Sequence, residues 1–153
     1  MTQNYSFQRY DEKTMAKAKG ISLPISHKQA REICHYLKSR RVEDAKRLLE
    51  RVLNMTQAVP FKRFNMDVGH KPGIAAGRYP QNASKEILKL IESAEKNANN
   101  KGLNDLFITH MNAHIAAPGQ RGGRTAGQAK RAHVEIVVEQ KNEEKKTNRE
   151  RKK

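Results

Sequence analysis

Two histidines and two acids are the residues whose types and spacing could support metal binding or catalysis. His110 and His114 share one phase of a predicted strand, so a metal ion could bridge them. A third ligand is not evident nearby, and the outer arms of the hairpin predicted to contain these histidines are expected to lack carboxylates. Asp105 could face Glu139 at the hairpin base and hold Mg²⁺, as in some nucleases, but no further acid joins them. The sequence therefore favours neither a zinc site nor a nuclease.

Two further patterns resemble reactive sites only superficially. Cys34, the single cysteine, falls in the apolar stripe of a predicted helix, where burial raises the pKa of a thiol. Because the chain has only this one cysteine, an internal disulfide and a multi-cysteine zinc site are excluded. The stretch GHKPGIAAGR, residues 69–78, lacks the Gly-Lys-Ser/Thr ending and the preceding buried strand of a nucleotide-binding loop. We therefore predict a protein that is not an enzyme and that uses no cofactor and no metal.

The balance of charges predicts a polyanionic partner. The chain has 153 residues, with 31 Lys and Arg against 16 Asp and Glu, and a net charge of +15. Such a charge opposes compaction of the chain. It favours binding to nucleic acid, because each phosphate contact releases condensed counterions. No apolar run approaches a membrane-spanning length, and the first residues do not resemble a signal or transit peptide, so we expect a soluble, intracellular protein. Aromatic residues are 5% of the chain, which argues against base stacking as the main mode of binding.

The stretch AAPGQRGGRTAGQAKRA, residues 116–132, is the clearest candidate site. It contains four basic residues, no acid and no aromatic residue, and it lies between two segments that alternate like β-strands. Arms of this length span about 40 Å at ~3.3 Å per residue, so their outer halves are expected to project beyond a small body. Because an isolated two-stranded ribbon is marginally stable, we expect phosphates to order this turn. A flexible surface loop with incidental charge is the alternative.

The elements that position these residues predict an α+β fold, in which three helices pack on a small three-stranded antiparallel sheet with a long protruding β-hairpin. Apolar stripes predict helices over residues 26–40, 41–54 and from 80 or 84 to 99. Strands are expected over residues 15–24, 103–116 and 133–140, with Phe107 to Ile115 in one phase and Leu106 to His114 in the other. In addition, residues 57–83 are predicted to be a loop that orders on binding.

The domain organisation follows from these elements. We predict a flexible lead over residues 1–14, a single RNA-binding domain over residues 15–140, and a charged, disordered tail over residues 141–153. Within the domain, the hairpin covers about residues 103–140 and its tip residues 116–132.

Four stretches resemble the universal large-subunit ribosomal protein twenty-two family over about residues 15–139. The loop containing PFKRFN resembles the archaeal and eukaryotic branch, whose eukaryotic members are counted as protein seventeen. The tip departs from the family, because it has Gly127-Gln128-Ala129 in place of a Gly-Arg-Ala step and a less dense arginine cluster. The stretches are SHKQAREICHYLKSRRVEDAKRLLERVLN, AVPFKRFNMDVGHKPG, IESAEKNANNKGL and HMNAHIAAPGQRGGRTAGQAKRAHVEIVVE.

The resemblance implies a structural constituent of the large ribosomal subunit in the cytoplasm. The body would lie at the subunit surface, and the hairpin would run through ribosomal RNA to line the nascent-peptide exit tunnel. Large-subunit ribosomal RNA, neighbouring ribosomal proteins and the nascent polypeptide are the implied partners, and subunit assembly is an implied role. We expect neither a membrane partner nor a homo-oligomer. The alternative from charge alone is an architectural protein that binds double-stranded DNA or RNA through the ribbon.

Candidate RNA-binding residues come from every part of the predicted domain. We expect them to position RNA through its phosphates without reading its sequence. They are Lys17, Lys19, Lys28, Arg31, Arg40, Arg41, Lys62, Arg63, His70, Lys71, Arg78, His110, His114, Gln120, Arg121, Arg124, Gln128, Lys130 and Arg131.

Overall fold

A computed structural model describes residues 5–120, 122 and 127–140 of the chain. The predicted α+β class is confirmed, with three helices and antiparallel sheets. The elements in chain order are β1 (Met15–Leu23), α1 (His27–Leu37), α2 (Val42–Leu53), β2 (Val59–Pro60), β3 (His70–Lys71), β4 (Ala75–Arg78), α3 (Gln81–Asn99), β5 (Leu106–Ile115), β6 (Gly119–Gln120), β7 (Gln128–Ala129) and β8 (Ala132–Gln140).

The main sheet has the order β1-β8-β5, and both pairings are antiparallel. The last strand in sequence is therefore the middle strand. On β8, Val134, Ile136 and Val138 face the helices and are buried, as their alternation predicts. We call this the core face of the sheet and the opposite side the outer face.

Strand β5 contains a bulge that the sequence pattern did not predict. Its register with β8 shifts between Ile108 and His110, so that Thr109 is the extra residue. Leu106 and Ile108 are buried before the bulge, whereas Met111 is buried after it. The buried phase thus changes from even to odd positions within one strand. Because of this change, His110 and His114 lie on the outer face rather than in line with Ile108.

The three helices cover the core face. The residues predicted to form their apolar stripes are buried, apart from the half-buried Leu48. Helix α1 packs on β5, α3 packs on β1, and α2 packs on α3. Gly102 follows the end of α3 and has a φ of +73°, a left-handed conformation that glycine adopts without strain. Helix α1 ends at Leu37 instead of residue 40, because the next residues bond to β5. The Ser39 N–H donates to the Ile108 carbonyl, and the Ile108 N–H donates to the Arg40 carbonyl.

The segment predicted as a loop over residues 57–83 has local structure. Strands β2, β4 and β3 form a small antiparallel sheet in that order. Val59 and Phe61 are buried in the main core, and the buried carboxylate of Glu32 on α1 accepts the backbone N–H of Lys62 at 2.8 Å. Strands of two to four residues leave no periodic signal, which explains why the sequence pattern predicted only a loop.

The hairpin arms remain on the body for longer than their length suggested. Ala116 and Ala132 are buried, and the Ala116 N–H donates to the Arg131 carbonyl at 3.2 Å. Each arm therefore lies against the body as far as these two alanines, and projection of the hairpin beyond them stays a prediction. Beyond them, β6 and β7 form a short pair. Arg121, residues 123–126 and the predicted tail over residues 141–153 lie outside the described residues.

Part of the predicted N-terminal lead is described. Residues 5–14 lie against the outer face of the main sheet, where Ser6 contacts Glu135 on β8. The flexibility expected for residues 1–14 stays a prediction. Across the residues that the structure describes, no helix is both long enough and apolar enough to cross a membrane.

Candidate nucleic-acid interface

A groove of about 720 Å³ brings together predicted site residues from three separate parts of the chain. It lies between the start of α1, residues 61–66, the start of α3 and the base of the hairpin tip. We call it the basic groove. Among the described residues no acidic side chain lines it, so its cations act on a ligand without competing carboxylates. Its predicted site residues are Lys28, Arg63, Arg78, Gln128, Lys130 and Arg131.

Two helix N-termini add positive potential to the basic groove. Ser26 and Pro80 precede α1 and α3, and neither side chain caps its helix. Neither helix has an acid in its first turn, whereas α2 has Glu43 and Asp44 there. Uncompensated backbone N–H groups at a helix start favour an anion. The backbone and the side chains of the groove therefore favour the same sign of ligand charge.

Aromatic rings support the cations of the basic groove. Lys28 Nζ lies 5.6 Å from the centre of the Phe64 ring. Arg31 does not line the groove, but its Cζ lies 5.9 Å from the centre of the same ring. Arg78 Cζ lies 5.6 Å from the centre of Phe61, which is itself buried. A ring face attracts a cation and restricts its position while leaving the outer side of the cation open to a ligand. The rings thus help to hold the charges where the groove needs them.

The same arrangement recurs across the molecule and was not predicted from the sequence. Seven of the eight Phe and Tyr rings have a Lys or Arg over them. In the sequence, the small number of aromatic residues argues only against base stacking. Only Tyr36 and Arg40, four residues apart at the end of α1, offered a local signal. The pairs outside the basic groove include Arg40 over Tyr36, Arg41 over Phe107 and Lys71 over Tyr79.

Arg131 fastens the base of the hairpin tip to the body. Its Nη1 donates to the carbonyl of Ser22 at 3.0 Å, and the Ser22 N–H donates to His133 Nδ1 at 3.0 Å. Ser22 has a φ of +54° next to an irregularity in the β1–β8 register. These bonds keep Lys130 and Arg131 beside the other groove cations.

Other predicted site residues lie outside the basic groove. Arg40 and Arg41 are exposed beyond the C-terminal end of α1, and Lys62, His70 and Gln120 are exposed elsewhere. Lys71 is half-buried on β3. Lys17 and Lys19 lie on the outer face. Arg121 and Arg124 are outside the part of the chain that the structure describes.

The two histidines lie in a cluster that the sequence pattern predicts only in part. A carboxylate is present on the neighbouring arm, because Glu135 Oε1 lies 3.1 Å from His110 Nε2 and 3.4 Å from His114 Nε2. The expectation that the arms lack carboxylates is thus wrong. The Ser6 N–H donates to Glu135 Oε2 at 3.1 Å, and the Ser6 hydroxyl donates to the same carboxylate. Phe7 packs on the His110 ring with 5.2 Å between ring centres.

The electrostatics of this cluster favour an ionised carboxylate. Glu135 is only 1% exposed. Burial raises the pKa of Glu135, but hydrogen bonds from Ser6, His110 and His114 outweigh burial and lower it below its usual value. The His110 side chain is 18% exposed, so it faces the interior of the cluster rather than an external ligand.

The remaining candidate chemistry does not assemble into a site. Among the described residues, no group of three or more His, Cys, Asp or Glu is arranged to hold a metal ion. Glu139 accepts a hydrogen bond from the Thr109 hydroxyl at 3.0 Å, and Asp105 precedes β5 in a turn with φ +50°. Cys34 is buried, and burial raises the pKa of its thiol to about 12.

Known relatives cover most of this chain. The model of the family described as ribosomal protein L22p/L17e matches residues 18–139. The large ribosomal subunit protein uL22 of Archaeoglobus fulgidus is 44% identical over 115 residues, which are 72% of this chain and 74% of that protein. The uL22 of Staphylothermus marinus is 39% identical over 153 aligned residues. That alignment covers 91% of this chain and 98% of that protein. That of Methanococcoides burtonii is 42% identical over 137 residues, 84% and 91% of the two chains.

These matches agree with the resemblance found in the sequence, including its archaeal branch. They cover the three helices, the main sheet and the basic groove, apart from the first residues of β1. The family consists of structural ribosomal proteins, so the prediction that the protein is not an enzyme is confirmed. The chain belongs to the ribosomal protein L22p/L17e family.

Proposed function

We propose that this protein is a structural constituent of the large ribosomal subunit in the cytoplasm and binds ribosomal RNA there as a monomer. Family membership supports the ribosomal setting, since its relatives bear the name of a large-subunit protein. The basic groove is the observation that supports RNA as the ligand. Cations from α1, from residues 61–78 and from the hairpin base converge there with no acid among the lining residues. Convergence of residues from three parts of the chain is typical of a site for a polyanion.

Phosphate binding is the mechanism that these residues suit. Lys and Arg side chains neutralise phosphates and release counterions, which supplies affinity without reading sequence. The guanidinium groups of Arg63 and Arg78 also offer planar forks that match phosphate oxygens. Since the groove joins the body to the hairpin base, an RNA segment bound there would hold the two together.

The hairpin has a second role in this proposal. Its tip, residues 116–132, extends among RNA segments and lines the nascent-peptide exit tunnel, where it contacts the growing polypeptide. Four basic residues and no acid in this stretch support contact with RNA on its flanks. Neighbouring ribosomal proteins are further partners. By fastening separate RNA segments, the protein contributes to assembly of the large subunit. The tunnel and assembly roles rest on the family resemblance.

A groove variant tests RNA binding by phosphate contacts. We expect the triple variant Lys28→Gln, Arg63→Gln, Arg78→Gln to bind large-subunit RNA more weakly. The slope of log affinity against log salt should become shallower by about two to three, at roughly 0.7–0.9 for each phosphate that the variant no longer neutralises. Affinities measured by filter binding at about four salt concentrations give this slope.

The matched control lies on the helices away from the groove. The variant Arg47→Gln, Arg51→Gln, Lys96→Gln removes the same charge from α2 and from the far end of α3 and should leave the slope nearly unchanged. Equal effects of the two variants would contradict the proposal, because net charge alone would then explain binding. Tighter binding to duplex DNA than to folded large-subunit RNA at equal salt would favour an architectural nucleic-acid-binding protein instead.

A further inference from the structure

We propose that residues 5–10, docked on Glu135, complete a second RNA-binding surface on the outer face of the sheet. This N-terminal surface consists of Tyr5, Tyr10, Lys17, Lys19 and Lys101. The inference rests on the proposed function, because it assigns a second RNA segment to the same protein. It gives the N-terminal segment a role and makes Glu135 a positioning residue.

The anchor of the N-terminal surface is the buried carboxylate of Glu135. Its Oε2 accepts the Ser6 N–H at 3.1 Å, and the Ser6 hydroxyl also lies 3.1 Å from His110 Nε2. Phe7 covers the His110 ring. Glu135 and its neighbour on the outer face, Val137, are each 1% exposed. An acid so enclosed on a basic protein is unsuited to face RNA, but it fixes the chain that passes over it.

The docked segment places two tyrosine rings around a lysine. Lys17 Nζ lies 5.0 Å from the centre of Tyr5 and 4.3 Å from that of Tyr10. Lys19 Nζ lies 5.5 Å from Tyr5, and Lys101 Nζ donates to the Tyr10 hydroxyl at 3.0 Å. Three ammonium groups therefore surround two phenol rings. The rings fix the lysines and restrict their rotamers, which lowers the entropy lost on binding a ligand.

The ligand class follows from the charge and exposure of this surface. Lys17 is exposed, and within the described ranges it makes no ion pair, so its ammonium group is available to an anion. Tyr5 and Tyr10 beside it are half-buried, and the Tyr10 hydroxyl is held in place because it donates to the Met15 carbonyl at 3.1 Å. Ammonium groups with adjoining phenols suit the phosphates and sugars of an RNA strand.

The N-terminal surface is separate from the basic groove. Lys17 alternates with Ala16 and Ala18, which are buried on the core face under α3, so Lys17 points to the outer face. The groove is built instead from the starts of α1 and α3 and the hairpin base. One RNA strand bound in the groove would therefore leave the N-terminal surface open to another segment.

Footprinting of the full chain on large-subunit RNA tests the second surface. We expect wild type to protect two separate RNA segments from hydroxyl radicals. Lys17→Gln should weaken protection of one segment by roughly 3- to 10-fold in half-saturating concentration, and the groove variant should weaken only the other. Lys13→Gln, which removes the same charge from the nearby exposed chain, should leave both protections unchanged. If Lys17→Gln leaves both protections unchanged while the groove variant removes one, the second surface is refuted and the proposed function stands. If neither variant alters protection, both proposals fail.

Glu135→Gln tests the positioning role because charge and position predict opposite results. The variant raises the net charge by one, which by itself strengthens RNA binding. Loss of the anchor should instead weaken protection of the segment assigned to Lys17 by about 3-fold or more, with the groove segment unchanged. Glu50→Gln on the exposed side of α2 gives the same charge change and should not weaken either protection. Equal behaviour of the two variants, in protein shown by circular dichroism to be folded, would overturn the positioning role.

Discussion

At the scale of single residues, the scarce aromatic side chains hold cations more than they fill the core. Phe64 packs against the core and carries Lys28 and Arg31 above its ring. Individually such contacts contribute about 0.5–1 kcal/mol at exposed sites. The sequence predicted the basic residues of the groove but could not predict these pairs. Most join residues far apart in sequence, such as Arg41 and Phe107, and only the fold brings them together.

The apolar stripe of α1 was predictable at this scale because helical spacing alone identifies it. Ala30, Ile33, Cys34 and Leu37 recur at helical intervals, and all four are buried. In contrast, the burial of Glu135 could not be predicted. Strand alternation assigned it to the face opposite Val134, but the covering residues come from the other end of the chain.

Cys34 should be inert in the folded protein. With a thiol pKa of about 12, only about one molecule in 10⁴ carries the reactive thiolate at about pH 8. We expect alkylation by iodoacetamide to be at least 100-fold slower in native protein than in urea-unfolded protein, as followed by mass spectrometry. Comparable rates in the two states would contradict the burial of α1 against the sheet.

At the scale of elements, the bulge at Thr109 decides which side chains of β5 reach each face. In the sequence, the even positions Leu106 and Ile108 and the odd positions Met111 and Ala113 are all apolar, so the alternation does not show where the buried side changes. Without the bulge, His110 would share the core face with Ile108. The bulge therefore creates the pocket on the outer face in which Glu135 meets two histidines and Ser6.

Docking of residues 5–10 should depend on pH through Glu135. The groups facing this carboxylate are Ser6 and Tyr5 of the segment, His110 and His114 of β5, and Lys19 across the pair with β1. Its pKa in the folded protein is lower than the ordinary value of a glutamate, so ionisation of Glu135 stabilises the folded, docked state above about pH 4.3. This contribution is lost as the pH falls through the docked pKa.

We therefore expect the amide signals of residues 5–10 in NMR spectra to be unchanged between about pH 7 and about pH 5 and to shift towards those of a free chain below about pH 4. Glu135→Gln should show the free-chain signals already at about pH 7. Release between pH 7 and 5 would contradict control by Glu135.

At the scale of the whole molecule, the charge is distributed unevenly. Helices α2 and α3 together carry six acidic and six basic residues, with ion pairs such as Lys46 to Glu95 and Lys89 to Glu86. Their exposed side is therefore neutral overall, although the chain carries +15. The excess lies in the rest of the chain, including the basic groove. A neutral side could not be predicted from charge counts along the chain, because it depends on the packing of α2 against α3.

This distribution predicts opposite effects of salt on the free and the bound protein. Added salt screens the self-repulsion of the free chain, so its melting temperature should rise between about 50 and 300 mM KCl. The further rise caused by a large-subunit RNA fragment should shrink over the same range, because phosphate contacts weaken. Differential scanning fluorimetry measures both. An RNA-induced rise that is independent of salt would contradict binding through phosphates.

The order of strands in the main sheet has a consequence for synthesis of the protein. Among the described elements the central strand β8 is the last in chain order, and β1 and β5 pair with it rather than with each other. Until residue 140 has been added, the three amphipathic helices have no completed sheet to cover, and Ser6 has no carboxylate to dock on. Cooperative folding must then wait until β8 has been synthesised. A growing chain of this basic protein is exposed to RNA and chaperones throughout its elongation, before it acquires its tertiary structure.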